Sequence, residues 1–452
     1  MAIDKIRSPW VCGPVTSKNA TSHPFEKMEN AYFVIVICVS DTLSQSIIHV
    51  HNGRWEQNRT TYNHAAGQAE QNEVTNLLAK INVHALTSRA SDLRNGTGCS
   101  ISQNLQYNPL TLDSLASAHS KIQYHLPPLE LRNYIMRSEV ATLKFLSNTT
   151  VPAPKVFDFN LDETNPIGVG YILMEKMPGK SLNWSLTTEK QRRKVIDQLA
   201  NIYIELQAHS FDTMGSLVMD EFGSQHVGPF ASESTSDYTH SLKALGPFSS
   251  LEQYYRAHIE LILDLIIRQE LYASRPVDAF LIHLYLLENL STILNNDLDG
   301  KFYLKHADEK GDHILVDDQF HITGIVDWEW AHTGPKSVAF NSPIALLPVA
   351  LFYDGDNRLG EDEMVFAQLL EEKGHPDLGD IVRKGRFLHR LQFCCGYNSR
   401  DWDGYVGIFL GLVRALRIHD SHLNWETWKV EAMERFSDDY RLKSLAKLEF
   451  YT

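Results

Sequence analysis

The chain has 452 residues, of which 43% are hydrophobic and 22% charged, so it can form two ordinary domains and has the composition of a folded, non-fibrous protein. Its formal net charge of −14 argues against a surface that binds nucleic acid or anionic membranes, since both need a basic face. The five cysteines are odd in number and contain no CxxC pair, which argues against a disulfide framework or a zinc site.

Residues 1–95 show no motif, and we expect them to form a poorly ordered N-terminal extension with one strand at Tyr32–Cys38. The apolar run Ala31–Val39 is much shorter than the roughly 20 residues that span a bilayer. It also lies too far into the chain for the core of a signal peptide. We therefore expect a cytoplasmic protein with no membrane span.

Residues 96–178 have the patterns of a small mixed lobe. Polar and apolar side chains alternate over Ser120–Leu126, as in a half-buried strand, and Gly168–Glu175 is a second predicted strand. Between them lies a helix whose apolar stripe consists of Met136, Val140 and Leu143. The glycine and proline of Lys176–Lys180 then predict a hinge.

Residues 179–452 are predominantly helical in pattern. Apolar side chains recur at helical spacing in one segment that starts after Thr187 and Thr188, two candidate N-caps, and that carries Val195, Leu199, Ile202 and Leu206. A second long helix is predicted at Val277–Leu294. Strands followed by helices indicate an α+β fold of two lobes, with the hinge between them.

The segment Phe302–Ala331 reads FYLKHADEKGDHILVDDQFHITGIVDWEWA and carries the chemistry. An HxD motif ends at Asp308, and two short apolar strands follow, Ile314–Val316 and Ile322–Val326, the second leading directly into Asp327. Phosphoryl transfer needs one carboxylate to orient the attacking hydroxyl and another to hold Mg²⁺ on the nucleotide phosphates. A lone aspartate in a turn is usually only an Asx-turn, but the combined pattern is far more specific.

This segment resembles the fungal branch of the aminoglycoside phosphotransferase and choline-kinase-like superfamily, whose catalytic pattern is HGDLxxxNILVD followed by GIIDWEWA. The resemblance extends from about Ser138 to about Leu416. It implies a two-lobed protein-kinase-like fold and an ATP- and Mg²⁺-dependent kinase that phosphorylates a hydroxyl of a small molecule. By the same resemblance Asp308 is the catalytic base, His306 braces the catalytic loop and Asp327 binds the metal.

The resemblance also assigns residues of the predicted nucleotide-binding lobe. Glu139 in SEVATLKFL is similar to the helix glutamate that pairs with a phosphate-binding lysine, the alternative being a solvated helix acid. The segment with Met174, Glu175 and Met177 is similar to the one that binds adenine, the alternative being an ordinary strand end.

One departure from the family pattern concerns the metal. His313 stands where the family has the asparagine that binds a second metal ion. Mg²⁺ prefers oxygen ligands, whereas imidazole suits softer transition metals, so Mn²⁺ is an alternative metal for a site with this histidine. The neighbouring Asp312 is a candidate substitute ligand.

The other departure is the absence of a recognisable phosphate-binding hairpin. Only Asn95–Gly98 offers closely spaced glycines before the predicted strand, and Lys121 and His125 are the candidates for its cationic position. A catalytically inactive kinase-like binding module therefore remains the alternative to an active kinase. The expected partners are a nucleotide and an unidentified small-molecule acceptor, with no nucleic acid.

Overall fold

The computed structural model describes part of the chain in detail, namely residues 11–14, 33–37, 79–101, 129–220, 222–232, 244–294, 300–396, 402–416 and 424–449. These residues form two compact units, one from residues up to 144 together with 154–177, the other from 145–153 together with residues from 178 onward. The smaller unit mixes strands and helices, whereas the larger is mainly helical. The predicted α+β organisation is therefore confirmed.

Over the ranges that the structure describes, the smaller unit is built on an antiparallel sheet of five strands in the order β3-β1-β2-β5-β4. Its elements are β1 (Val11–Pro14), β2 (Phe33–Ile37), α1 (Val83–Asp92), β3 (Cys99–Ile101), α2 (Leu129–Leu146), β4 (Val156–Asn160) and β5 (Tyr171–Glu175).

Residues before position 96 contribute two strands to this sheet. The strand predicted at Tyr32–Cys38 is confirmed as β2, which pairs along its whole length with β5, Phe33 opposite Glu175. The first four residues of β5 are all buried, as expected for a strand with neighbours on both sides. An N-terminal part expected to be an extension thus supplies backbone partners to the strand that leads into the hinge.

Helix α2 buries the predicted stripe of Met136, Val140 and Leu143 almost completely. Helix α1 is held by Arg89, whose Nε and Nη2 donate to the two carboxylate oxygens of Asp158 on β4 at 2.7 and 2.9 Å. The hydroxyl of Tyr171 on β5 donates to the same carboxylate at 2.8 Å. The strand predicted at Ser120–Leu126 lies outside the described residues.

In its described residues, the larger unit contains three small antiparallel sheets and a set of packed helices. Its strands are β6 (Lys180–Ser181), β7 (Ser210–Phe211), β8 (Ser216–Met219), β9 (Gln225–Gly228), β10 (Phe302–Lys305), β11 (Ile314–Val316), β12 (Ile322–Ile325) and β13 (His332–Pro335). Its helices are α3 (Glu189–Gln207), α4 (Leu251–Ile267), α5 (Pro276–Glu288), α6 (Leu290–Ile293), α7 (Lys336–Ala339), α8 (Val349–Tyr353), α9 (Glu361–Glu372), α10 (Pro376–Lys384), α11 (Arg386–Gly396), α12 (Trp402–Leu416), α13 (Trp425–Arg435) and α14 (Tyr440–Glu449). Within the described ranges, no helix is both long and apolar enough to cross a bilayer.

The two long helices predicted for this unit form, with one correction. Thr188 caps α3, since its side chain accepts from the Gln191 N–H while the Gln191 side chain accepts from the Thr188 N–H. The second predicted helix is not continuous, because α5 ends at Glu288 and the short α6 follows. Asn289 is the C-cap of α5, and the Tyr285 carbonyl accepts both its backbone N–H at 3.1 Å and its side-chain amide at 2.8 Å.

Two of the small sheets position the HxD and DWE motifs. Strand β10 lies between β13 and β7 and leads into the HxD loop, while β11 and β12 form the following hairpin. The segment after the predicted hinge joins this hairpin, since β6 pairs with β11. Gly179 allows the approach, because its φ is +104° and a Cβ there would lie 2.4 Å from Thr323 Oγ1.

Candidate active site

Asp308 lies in the loop between β10 and β11, and its side chain is 23% exposed. Asp327 follows β12, two residues beyond the end of that strand. Because β11 and β12 are hydrogen-bonded neighbours, the loop before β11 and the loop after β12 come from the same end of the hairpin. The two aspartates predicted to cooperate are therefore delivered by adjacent loops.

His306 joins those two loops. Its Nε2 lies 2.9 Å from the carbonyl oxygen of Val326, the residue before Asp327, and its Nδ1 accepts from the backbone N–H of Asp308 at 3.2 Å. A carbonyl only accepts, so these bonds assign the neutral tautomer with the proton on Nε2. His306 thus makes hydrogen bonds to the backbone of both loops, which is the arrangement that a residue bracing the HxD loop requires.

The backbone of Asp327 has φ +76°, in the left-handed region that non-glycine residues seldom adopt. Such a conformation costs about 1–3 kcal/mol and persists only when surrounding contacts impose it. The next residue, Trp328, provides such contacts, since its ring is buried, meets the His306 ring edge-on at 4.7 Å and donates to the Ile325 carbonyl at 2.9 Å. Packing by Trp328 therefore helps to hold the backbone of Asp327 in this conformation.

Lys310 supplies positive charge directly beside Asp308. Its Nζ lies 2.9 Å from Asp308 Oδ2, and its side chain is 44% exposed. Partial burial by itself lowers the pKa of Lys310, but the charges of Asp308, Asp312 and Asp327 outweigh burial and the net effect is a raised pKa. The three carboxylates thus stabilise the charged form of the Lys310 ammonium group.

His313 occupies a buried position rather than an open one. Its side chain stacks on the His306 ring with centroids 4.3 Å apart, and its Nδ1 accepts from the Gly311 N–H at 3.4 Å. Burial, reinforced by the positive charges of Lys305 and Lys310, holds the pKa of His313 well below its ordinary value. This geometry gives the ring a packing contact with the bracing histidine.

The predicted metal ligands do not form one cluster. Within the ranges that the structure describes, no group of three or more His, Cys, Asp or Glu side chains is arranged to hold a metal ion, so the set Asp312, His313 and Asp327 is not assembled. The physical reason is the direction of the His313 ring, which packs inward on His306 while its neighbour Asp312 is exposed. Carboxylate oxygens remain, and they are the donors that Mg²⁺ prefers.

A buried ion pair lies beneath the loop, and sequence reasoning missed it. Lys305 at the end of β10 donates to Glu309 Oε2, and the hydroxyl of Tyr203 on α3 donates to Glu309 Oε1 at 2.7 Å. Burial, together with the Glu309 charge, raises the pKa of Tyr203 well above its ordinary value. The available signal was Glu309 itself, because the family pattern has leucine immediately after the aspartate of HxD.

A cavity of about 30 Å³ borders Glu309, Tyr203 and the two stacked histidines, His306 and His313. That volume is enough for one water molecule, and the polar side chains in its wall could bond it. The rest of the wall is apolar and comes from α3, β10, β11, β12 and α7, together with Trp328 and Pro343.

The residues assigned to nucleotide binding lie in the smaller unit. Met174 is buried on β5, Glu175 ends that strand, and Met177 follows it in the predicted hinge. Glu139 is 2% exposed on α2, which rules out the alternative of a solvated helix acid. The roles predicted for these four residues in binding the nucleotide stay predictions.

The phosphate-binding candidates are only partly covered. Lys121 and His125 lie outside the described residues. The Asn95–Gly98 segment forms the turn between α1 and β3, with positive φ at Asn95 and Gly96. It follows a helix, so it is not the hairpin between two strands that the family pattern would place there.

Residues 130–337 match the model of the phosphotransferase enzyme family. Among curated proteins, the chain is 35% identical over 88 residues to a subtelomeric hrmA-associated cluster protein of Aspergillus fumigatus, covering 19% of this chain and 17% of that protein. It is 29% identical over 226 residues to altered inheritance of mitochondria protein 9, mitochondrial, of Candida tropicalis, covering 47% of this chain and 33% of that protein. The chain thus matches only a minor part of the length of either relative.

Similar solved structures are those of aminoglycoside phosphotransferases. A gentamicin complex of APH(2″)-IIa has 12% identity and a TM-score of 0.37, covering 63% of this chain and 81% of that chain. A complex of APH(2″)-IIIa with GDP and kanamycin has 17% identity and a TM-score of 0.36, covering 69% of this chain and 84% of that chain.

Proposed function

We propose that the chain transfers the γ-phosphoryl group of ATP to a hydroxyl of a small molecule, from the premise that residues 130–337 match the model of the phosphotransferase enzyme family. The observation that carries the proposal is the bridge made by His306. Its two ring nitrogens bond the backbone at Asp308 and at Val326, so one side chain ties together the loops that carry the two aspartates.

In the proposed reaction the oxygen of the acceptor hydroxyl attacks the γ-phosphorus, and the bond between that phosphorus and the β,γ-bridging oxygen breaks. ADP leaves, and the hydroxyl proton passes to the carboxylate of Asp308. The acceptor hydroxyl can reach the Asp308 carboxylate because that side chain is partly exposed. Its ion pair with Lys310 must loosen as the acceptor binds, which leaves the Lys310 ammonium free to meet the negative charge of the phosphoryl group.

The carboxylates suit a hard cation. Asp327 and the exposed Asp312 would hold Mg²⁺, whose charge neutralises the phosphate oxygens when it is bound. Mg²⁺ commonly takes only one or two protein carboxylates and completes its shell with phosphates and water, so a cluster of three protein ligands is not required. We assign His313 to packing against His306 rather than to the metal.

A thermal-shift titration tests the proposal. Ligand that binds only the folded state raises the unfolding midpoint with the logarithm of its concentration above Kd. We expect ATP with Mg²⁺ to raise the midpoint, ATP without a divalent ion to raise it much less, and Mn²⁺ to replace Mg²⁺ without advantage if His313 is not a ligand.

The alternative is a kinase-like binding module that has lost phosphoryl transfer. It predicts either no response to nucleotide or a response that does not depend on a divalent ion. Either result, with wild-type protein that is folded and monodisperse, would contradict the proposed kinase.

A further inference from the structure

Glu309 follows the proposed base, Asp308, directly in the chain, yet its side chain is buried. Asp308 meets Lys310 in a partly exposed position, whereas Glu309 is 5% exposed. A carboxylate inside a protein is costly unless it is paired and hydrogen-bonded. The partners of the Glu309 carboxylate must therefore offset the cost of burying its charge.

Both oxygens of the Glu309 carboxylate are occupied. Oε2 accepts from Lys305 Nζ, and Oε1 accepts from the Tyr203 hydroxyl at 2.7 Å. The backbone of Glu309 is held as well, because its carbonyl accepts from the Ala345 N–H at 2.9 Å. Strand β10, helix α3 and the turn at Ala345 therefore all fix the residue next to Asp308.

The ion pair joins the two ends of the five-residue segment from Lys305 to Glu309, and this segment contains both His306 and Asp308. Such a link limits the conformations open to the intervening residues, much as any loop closure does. Since each partner is less than 10% exposed, water does not compete strongly for either charge.

Stability alone does not account for the pair. Replacing a buried ion pair with well-packed apolar residues is often neutral or stabilising. Buried ionic groups can instead favour one conformation over others, which a catalytic loop needs.

We propose that Glu309 is a positioning residue that fixes the loop carrying Asp308 for phosphoryl transfer. We call the set of contacts that Glu309 makes with Lys305 and Tyr203 the clasp. The catalytic part of this inference rests on the proposed function. Its structural part, that the clasp holds the loop in one conformation, can be tested without any activity.

The experiment compares wild-type protein with the double variant Lys305→Met/Glu309→Leu, which replaces the pair with apolar side chains. Amide hydrogen exchange is followed in peptides covering residues 306–313. Because the buried Tyr203 hydroxyl loses its acceptor, we expect a somewhat lower unfolding midpoint. Exchange in this loop should be faster by about tenfold or more, as when a local opening becomes easier. The matched control is Glu363→Leu/Arg386→Met, which removes a buried ion pair outside the loop and should leave exchange in 306–313 unchanged.

Kinetics then separate positioning from folding. Slow hydrolysis of ATP, with water as the acceptor, should fall by roughly 10- to 100-fold in the loop variant while MgATP affinity by calorimetry stays within about twofold. A wild-type protein that neither binds nor hydrolyses ATP would count against the proposed function. The hydrogen-exchange rates of residues 306–313 would still test whether the clasp holds the loop.

Loop exchange equal to that of wild type in the double variant would overturn the proposal. If the double variant does not fold, Glu309→Gln decides, because it keeps the shape and removes the charge. We expect Glu309→Gln to speed loop exchange by a smaller factor, and wild-type exchange in this variant would equally overturn the clasp.

Discussion

Two buried ion pairs in the larger unit differ in how completely hydrogen bonds satisfy them. Beneath the HxD loop, both oxygens of Glu309 are bonded, by Lys305 and by Tyr203. In the second pair, Arg386 on α11 donates through Nη2 to Glu363 on α9 at 2.6 Å. Within the described part of the chain, Nε and Nη1 of Arg386 and Oε1 of Glu363 are buried without a hydrogen-bond partner.

The difference indicates two uses of buried charge. A fully bonded pair at the ends of a short loop defines one geometry, which serves a site that must hold Asp308 in place. The partly bonded pair of Arg386 and Glu363 links two helices, α11 and α9. Its remaining polar atoms are of the kind that buried water satisfies in proteins. Burial raises the pKa of Glu363 even though the Arg386 charge opposes this, which shows how incompletely that site supports a charge.

The largest expected effect concerns the loop. Asp308→Asn should lower ATP-dependent turnover by about 10²- to 10⁴-fold, the usual contribution of a positioned acid or base. Steady-state kinetics measure it, with Asp317→Asn as the matched control. Asp317 lies in the turn between β11 and β12, where its Oδ1 accepts from the backbone at Gln319 and His321, and an asparagine oxygen can still accept there. Equal turnover in the two variants would remove Asp308 from the mechanism.

A second prediction concerns the helix pair and stability instead of turnover. Glu363→Leu leaves the Arg386 guanidinium buried with its charge unpaired, so the free energy of unfolding should fall by about 3–5 kcal/mol. The double variant Glu363→Leu/Arg386→Met should recover most of the loss. Urea denaturation measures both changes, and a single variant as stable as wild type would show that the pair is not a stabilising unit.

The smallest expected effect belongs to a partly exposed pair in the smaller unit, Arg89 with Asp158. Burial alone raises the pKa of Asp158, but hydrogen bonds from Arg89 and Tyr171 lower it more, so the net shift is downward. A carboxyl with a lowered folded-state pKa adds stability above its unfolded-state pKa of about 3.9, and loses it as pH falls through the folded-state value.

Asp158→Asn should therefore destabilise the protein by about 1 kcal/mol or less at pH 7, the range for partly exposed pairs. The difference from wild type should shrink below about pH 4, as the wild-type carboxyl takes up its proton. Thermal unfolding at several pH values measures it. A difference that does not change with pH would mean that the pair acts through packing and not through charge.

The sequence was most informative where the motif and its structure are local. The HxD and DWE segments, the short strands between them and the capping of α3 by Thr188 all depend on residues close together in the chain, and each is found where it was predicted. The pairing of β2 with β5 joins positions far apart, and a single sequence gives no sign of it.

The clasp shows the same limit. Glu309 is visible as a departure from the family leucine, but its partner Tyr203 lies 106 residues away, on a face of α3 that periodicity marks only as buried. At His313 the sequence suggested metal chemistry, because residue type was read at the family's ligand position. The ring turns inward and stacks on His306, a direction that residue spacing does not determine.

Calorimetric titration of MgATP into wild type, Asp308→Asn and Asp327→Asn tests the central claim most directly. The proposed base acts on the acceptor hydroxyl in the transition state, so Asp308→Asn should bind MgATP with nearly wild-type affinity. The proposed metal ligand acts on the metal–nucleotide complex itself, so Asp327→Asn should bind at least about tenfold more weakly, a loss that corresponds to one charge-assisted contact. Equal affinity in all three proteins, or equal weakening in both variants, would contradict the division of roles between Asp308 and Asp327.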